Sequence, residues 1–470
     1  MEGLNTVPLI ENRTFDEIEI GQSASLSRTL TRQDIELFAI MSGDVNPAHV
    51  DEEFARSDMF HKIIAHGMWG AALISTVLGT ELPGPGAIYL GQSLRFRHPV
   101  APGDTVVVSV TVREKDAVKH RVILDCQVTN QLGDVVIDGA AEVIAPTEKI
   151  SRRRVVLPEV RIEAHGARLR QLIAQAEQHP PIRMAVVYPV DNVSLMGAIE
   201  AAKAKLIIPT LIGPPSMIVA AAQAAGLDIS GYEIIASPND RSAAAKAVEL
   251  AHAGTVDAVM KGALHTDHLM HAVMVDDHGL RTERRISHVF VMDVPSYPRP
   301  LLITDAAINI YPDLETKCDI VQNAIDLAQA LGIATPKVAI LSAVETVTPK
   351  IRSTQEAAEL CKMAERGQIT GGLLDGPLAF DNAVSVEAAK TKGIVSAVAG
   401  QADIMVVPDL EAGNMLAKQL EYLAEAEGAG IVLGAKVPIV LTSRADKTLS
   451  RIASCAIAIL LSQHSRKDTM

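Results

Sequence analysis

Nowhere in these 470 residues does an apolar run reach the ~20 residues that a membrane-spanning helix needs. Hydrophobic residues nevertheless make up 48% and mean hydropathy is +0.21. The excess comes from dispersed Ala, Val, Ile and Leu. The opening residues, MEGLNTVPLIENRTFDE, lack the basic stretch and apolar core of a secretory signal, so a cytoplasmic location is expected. Positive charge is also scarce. With 43 Lys and Arg against 56 Asp and Glu, the net charge is −13, which argues against a general nucleic-acid binder. A small anionic ligand held by a few cations in one cleft stays open. Cysteine is sparse too: Cys126, Cys318, Cys361 and Cys455 lie far apart and form no CxxC pair. That is the pattern of free thiols in a reducing compartment, not of a disulfide framework or a zinc site. Internal repeats and low-complexity tracts are missing.

What is present falls into two rhythms. At roughly one domain per 150 residues, the length predicts two or three domains. Up to about residue 145 strands dominate. Valines 106, 108, 110 and 112 alternate, as do Val122, Leu124, Cys126 and Val128, each set marking a half-buried strand. Residues 87–98 and 134–144 read as two more, with turn signals PGD at 102–104 and QLGD at 131–134. One long apolar segment, residues 63–79, suits a helix buried against this antiparallel sheet. An earlier helix is expected near Thr31, where Thr31 and Asp34 resemble a capping box and Ile35, Phe38 and Ala39 form an apolar stripe. Residues 146–180 form a charged, Pro-punctuated linker, including Arg152, Arg153 and Arg154, followed by a polar helix. From 181 onward strand and helix alternate. Candidate strands lie at 185–189, 205–213, 257–262, 288–294, 300–305, 337–344, 402–409 and 437–443. Near-continuous apolar strands alternating with helices predict a parallel sheet covered on both faces, built as two α/β lobes around a cleft.

Chemistry concentrates first in SGDVNPAH, residues 42–49. Asp44 and His49 flank Asn46 and Pro47, and proline stiffens the turn. A carboxylate and an imidazole on one stiff loop can share a water: one group takes a proton from it, and another delivers a proton to carbon. AHGM follows at 65–68, where the buried helix begins. Gly67 there exposes a bare backbone N–H at a positive helix end, suited to a thioester oxygen that becomes enolate-like. Together these motifs resemble the MaoC-like, (R)-specific enoyl-CoA hydratases of the hot-dog fold, over about residues 13–145. The resemblance implies an α+β hot-dog domain that hydrates trans-2-enoyl-CoA reversibly to (R)-3-hydroxyacyl-CoA. It places the catalytic pair at Asp44 and His49, the oxyanion donor at the Gly67 amide, and a substrate contact at Asn46. Ala48 stands where a larger aliphatic residue is common.

Four stretches stand out in the second half: MKGALHT (260–266), LLDGPLAFDNAVS (373–385), VVPDLEAGNMLAKQL (406–420) and VPIVLTSRAD (437–446). Each ends a predicted strand, and ligand sites of open α/β sheets gather at such ends. These stretches, with GLRTERRISHV (279–289), resemble the phosphate acetyltransferase and butyryltransferase family from about 185 to 465. The resemblance implies a two-lobed α/β domain of isopropylmalate dehydrogenase-like fold over residues 181–470, exchanging an acyl group between CoA and inorganic phosphate. Ser443 and Arg444 match the family's Ser-Arg pair. Ser443 would assist the leaving thiolate or the oxyanion, and Arg444 would bind phosphate, which a guanidinium can clamp bidentately, or the acyl oxygen. Lys261 and Arg281 are anion-binding candidates, and Asp375 and Asn414 are expected to shape the cleft. One departure stands out: the acetyltransferase branch has an Asp seven residues after the Ser, and this chain has Ser450.

Other signals read as structure. His265, His268 and His271 have helical spacing but no placed fourth ligand, so no metal is expected. GAGIVLG (428–434) lies before a strand, not after one as a dinucleotide loop does. Trp69 and the methionines at 68, 270, 274 and 415 read as packing. The expected protein is therefore a bifunctional enzyme with acyl-CoA and phosphate as substrates, no tightly bound cofactor, no membrane or nucleic-acid partner, and a homo-oligomeric state. The alternatives are an acyltransferase whose hot-dog domain only binds acyl-CoA, and a dehydrogenase.

Overall fold

The structure, a computed structural model, describes residues 9–155, 157, 160, 165–275, 278–441 and 447–468. The chain divides into two compact units, Met1–Ile162 and Glu163–Met470.

The first unit contains strands β1 (Leu9–Glu11), β2 (Ser23–Thr29), β3 (Ile88–Phe96), β4 (Thr105–Asp116), β5 (Arg121–Asn130), β6 (Val135–Ile144) and β7 (Ser151–Arg153). Its helices are α1 (Arg32–Ser42), α2 (Pro47–Val50), α3 (Glu52–Ser57) and α4 (Gly67–Thr80). Five strands form a sheet in the order β2-β4-β5-β6-β3, every neighbouring pair antiparallel. The two alternating sets read from the sequence are buried as one face, and α4 lies against it. Each such buried aliphatic side chain contributes on the order of 1.5–3 kcal/mol. Close approach of helix and sheet depends on Gly70, where a Cβ would lie 2.5 Å from Ile137 Cδ1. This is the hot-dog arrangement. The Thr31 capping box is present at the start of α1. The edge strand β2 was not foreseen, because SASLSRT carries too few apolar residues to alternate visibly.

The second unit holds an eleven-stranded sheet: β8 (Ile182–Val187), β9 (Ile207–Gly213), β10 (Glu233–Ala236), β11 (Ala258–Lys261), β12 (Ser287–Asp293), β13 (Leu301–Thr304), β14 (Lys337–Leu341), β15 (Leu373–Leu378), β16 (Ile404–Val406), β17 (Glu427–Leu433) and β18 (Ile439–Val440). Their order is β10-β9-β8-β11-β18-β17-β12-β13-β16-β14-β15. The expectation of one parallel sheet needs correction at the centre. Two parallel blocks flank it, but β18–β17, β17–β12 and β12–β13 are antiparallel pairs. The flanking blocks therefore run in opposite directions. GAGIVLG is not a loop before a strand; it is most of β17, at the middle of the sheet. Helices cover both faces, and three buried clusters fill the spaces between. The helix Ala167–Ala176, read as polar, buries Leu169, Leu172 and Ala176 against the terminal helix Thr448–Asp468. Among the described residues, no helix is long and apolar enough to cross a membrane.

Candidate active sites

In the first unit the site forms where α1 ends. Gly43 adopts φ 76°, turning the chain sharply after Ser42. Asp44 follows, its Oδ1 accepting the Asn46 N–H at 3.2 Å. Asn46 caps α2 by accepting the Ala48 N–H at 3.1 Å, and Pro47 occupies the first helical position. Asn46 thus has a structural task in this loop. The single turn of α2 presents His49, whose Nδ1 donates to the Ile64 carbonyl at 2.9 Å. That bond assigns the proton to Nδ1 and leaves Nε2 with its lone pair.

His66, which the sequence reading passed over, completes the group. It is buried, and its Nε2 donates to the Asp44 carbonyl at 2.9 Å. Its ring lies 4.0 Å from the His49 ring, centroid to centroid. Asp44, His49 and His66 offer polar atoms all within 4.8 Å of one another, a spacing that could also hold a cation. Both tautomers are set by backbone carbonyls, an arrangement that suits proton transfer. A cavity of about 270 Å³ opens beside them, lined by His49, His66, Gly67, Trp69, Val128 and Ile137 among others. Gly67 starts α4, where first-turn N–H groups lack helical acceptors. A Cβ there would lie 2.9 Å from Phe96 Cε1, so packing also favours glycine.

In the second unit a cavity of about 690 Å³ brings together Lys261 at the end of β11, Asn414 on the helix Leu410–Leu423, and Ser450 at the start of the terminal helix. Leu441 and Lys447, on either side of residues 442–446, also line it. Ser443, Arg444 and Asp446 lie outside the described residues. Asn414 Nδ2 donates to the Ala306 carbonyl at 3.3 Å. Next to it, Asp305 accepts from the backbone N–H groups of Ala307, Ile308 and Asn309, while burial pushes its carboxyl pKa upward.

Two predicted residues are not brought to this cavity. Asp375 sits on β15, an edge strand, with Oδ1 accepting the Gly376 N–H at 2.9 Å. Arg281 pairs by a lone β-bridge with Ala435. For Asp375 the physical reason is position: β15 ends the sheet, four strands beyond β12, whose residues line the cavity. Sequence reasoning also missed His288, Phe290 and Met292 of β12, which line the cavity from inside a strand that reads as core. His268 Nδ1 lies 2.6 Å from Asp240 Oδ2, and His265, His268 and His271 form no group of three ligands among the described residues.

Comparison with known proteins separates the halves in the same way. Residues 239–459 match the family described as Phosphate acetyl/butaryl transferase, and residues 15–132 match the MaoC like domain. A phosphate acetyltransferase of Rhizobium meliloti is 60% identical over 303 residues, 64% of this chain and 96% of the relative. The crystal structure of a branched-chain phosphotransacylase from Enterococcus faecalis is 30% identical with a TM-score of 0.54, covering 60% of this chain and 99% of that one. An R-hydratase from Pseudomonas aeruginosa is 45% identical across 33% of this chain and 99% of its own, with a TM-score of 0.32. The chain belongs to the phosphate acetyl/butyryl transferase family and carries a MaoC-like domain ahead of the matching region.

Proposed function

We propose that the chain is a bifunctional enzyme of acyl-CoA metabolism. One site hydrates trans-2-enoyl-CoA to (R)-3-hydroxyacyl-CoA; the other exchanges an acyl group between CoA and inorganic phosphate. The observation that carries the hydration reading is the convergence of Asp44 and His49 within 4.8 Å beside a largely apolar cavity. A water held between them loses a proton to one group as its oxygen bonds the β-carbon. The charge passes to the thioester oxygen, near the Gly67 amide, and the second group delivers a proton to the α-carbon. Such positioned groups contribute about 10²–10⁴-fold each. Membership of the transferase family supports the second activity, with Ser443 and Arg444 as the polar pair that resemblance assigns; Lys261 and Asn414 line the cavity of about 690 Å³.

We assign the hydratase to residues 13–145 and the transferase to 181–470. Residues 146–180 divide between them, because β7 pairs with β1 while the helix Ala167–Ala176 packs on the terminal helix. The two oppositely directed blocks support a two-lobed, isopropylmalate dehydrogenase-like arrangement. Exposed Ile88, Tyr89, Leu90 and Phe96 on the edge strand β3 support a homo-oligomer, which sedimentation velocity would test.

The deciding experiment incubates the pure chain with crotonyl-CoA, following loss of the enoyl absorbance. In parallel, butyryl-CoA and phosphate are supplied and free thiol is followed. Both signals are expected. Absent hydration with intact transfer would reduce the first unit to an acyl-CoA-binding domain; absent transfer would overturn the second assignment.

A further inference from the structure

The cavity beside Asp44, His49 and His66 changes character from rim to floor. Phe96, Arg97 and His98 line it from exposed positions, as does Gly67 at the start of α4. Other lining residues belong to the core of the unit: Trp69 is 7% exposed, and Val106, Val128 and Ile137 are almost fully buried. Apart from His49, His66, Arg97 and His98, no lining side chain carries a charge or a hydroxyl. That order suits a thioester entering acyl end first. The charged coenzyme stays in water, the thioester stops beside His49 and Gly67, and the tail is left with the apolar floor. The floor is closed by residues of β4, β5 and β6 that pack in one cluster with Trp69, so a longer tail meets core atoms and no exit. Size sets a limit too. The volume of about 270 Å³ falls below the roughly 300–1,000 Å³ of pockets that bury a drug-sized molecule, and the reacting carbons and a water must share it.

Trp69 is the largest side chain of this lining and the chain's one tryptophan. It stands two residues after Gly67, on the first turn of α4. Helix and sheet meet closely at the next residue, Gly70, where a Cβ would lie 2.5 Å from Ile137 Cδ1, so this wall has little room to yield. We propose that Trp69 limits the length of the acyl chain at this site and makes the first unit selective for short-chain 2-enoyl thioesters. The inference rests on the hydration reading and names its substrate class.

The single indole is also the probe, because its emission reports this cavity and nothing in the second unit. The full chain, free of phosphate, is titrated with free CoA, butyryl-CoA and octanoyl-CoA, none of which can be hydrated. Butyryl-CoA should change the emission saturably, octanoyl-CoA with at least about tenfold weaker affinity. Free CoA should leave it unchanged. Hydration of crotonyl-CoA and of trans-2-octenoyl-CoA is then compared. Wild type should favour crotonyl-CoA by about 10²-fold in kcat/KM, since one misfitted methylene is worth about 10–200-fold. Trp69→Leu should raise the octenoyl-to-crotonyl ratio at least about tenfold. A variant that is only destabilised lowers both rates together and leaves the ratio where it was. A wild-type rate with octenoyl-CoA within about threefold of that with crotonyl-CoA would sink the idea. So would an unchanged ratio in Trp69→Leu, or emission unmoved by butyryl-CoA in a chain that hydrates crotonyl-CoA. If wild type hydrates neither thioester while its emission still selects butyryl-CoA over octanoyl-CoA, the hydration reading fails and the length limit stands.

Discussion

Each unit buries a histidine beside a cavity, and the two are held in opposite ways. His66 donates through Nε2 to the Asp44 carbonyl and stacks on His49, so its orientation is fixed by a partner 22 residues away. His288 rests on a sheet face, wedged between Phe290 and the space left by Gly430, with no partner for its Nδ1 among the described residues. His66 Nδ1 is unpaired as well, so it is the single bond at Nε2 that ties this ring to the loop carrying a reacting group. The other ring is held by packing, and its Nδ1 is closed to solvent. The difference separates a ring oriented by a hydrogen bond from one oriented by its packing neighbours.

The sharpest way to break this comparison is at the first site. Asp44→Asn should lower hydration of crotonyl-CoA by about 10²–10⁴-fold and leave thiol release unchanged. Loss of both activities together would mean that the loop matters for folding and not for proton transfer. Next in size is a contrast between cores. The first unit's core is apolar, whereas the second buries Lys317 against Glu356 at 2.5 Å, with Arg352 2.6 Å from the other oxygen. Lys317→Met should destabilise by about 3 kcal/mol, read from urea denaturation, because a buried carboxylate loses its buried partner. An unchanged midpoint would show that Arg352 alone neutralises it.

The third contrast is in pH. His288 stays neutral in the folded chain down to about pH 3, while the unfolded chain takes up that proton near 6.5. The unfolded state therefore binds more protons below 6.5. The stability contribution is complete above that pH and drains away as pH falls toward 3. Between pH 7 and pH 5 wild type should lose about 2 kcal/mol more than His288→Phe. Parallel pH curves for the two would place the ring in contact with water. The smallest effect is expected at Arg56–Glu52, an exposed pair at 3.1 Å: Arg56→Ala should change neither activity nor the melting midpoint measurably.

Legibility followed sequence distance. The first site spans residues 44 to 67, so its loop, its proline and its helix start could be read as neighbours. His66 was passed over inside that span because its role depends on a carbonyl it meets only after the chain folds back. The second cleft gathers residues from 261 to 450. Lys261 and Asn414 stood out because glycines and polar residues interrupt apolar strands there. His288 did not, since HVFVMDV reads as interior, which it is. The reversed centre of the sheet was illegible for another reason. A strand's apolar pattern records burial, whereas its direction depends on which strands it pairs with. Glycines 428 and 430 look like a loop signal, but they are strand residues whose missing side chains make space for Met292 and His288.

The sheet order has a further consequence, for the making of the chain. Strands β17 and β18 come last in the sequence yet stand between β11 and β12. As the ribosome releases the polypeptide from its amino end, the β8–β11 block and the β12–β16 block emerge with nothing to join them. Each presents an open edge at what will become the middle of the sheet, where unpaired strands invite wrong partners. The sheet closes only once the final strands insert, so a chain stopped short of Glu427 would hold two half-sheets, with β11 and β12 each left at an open edge.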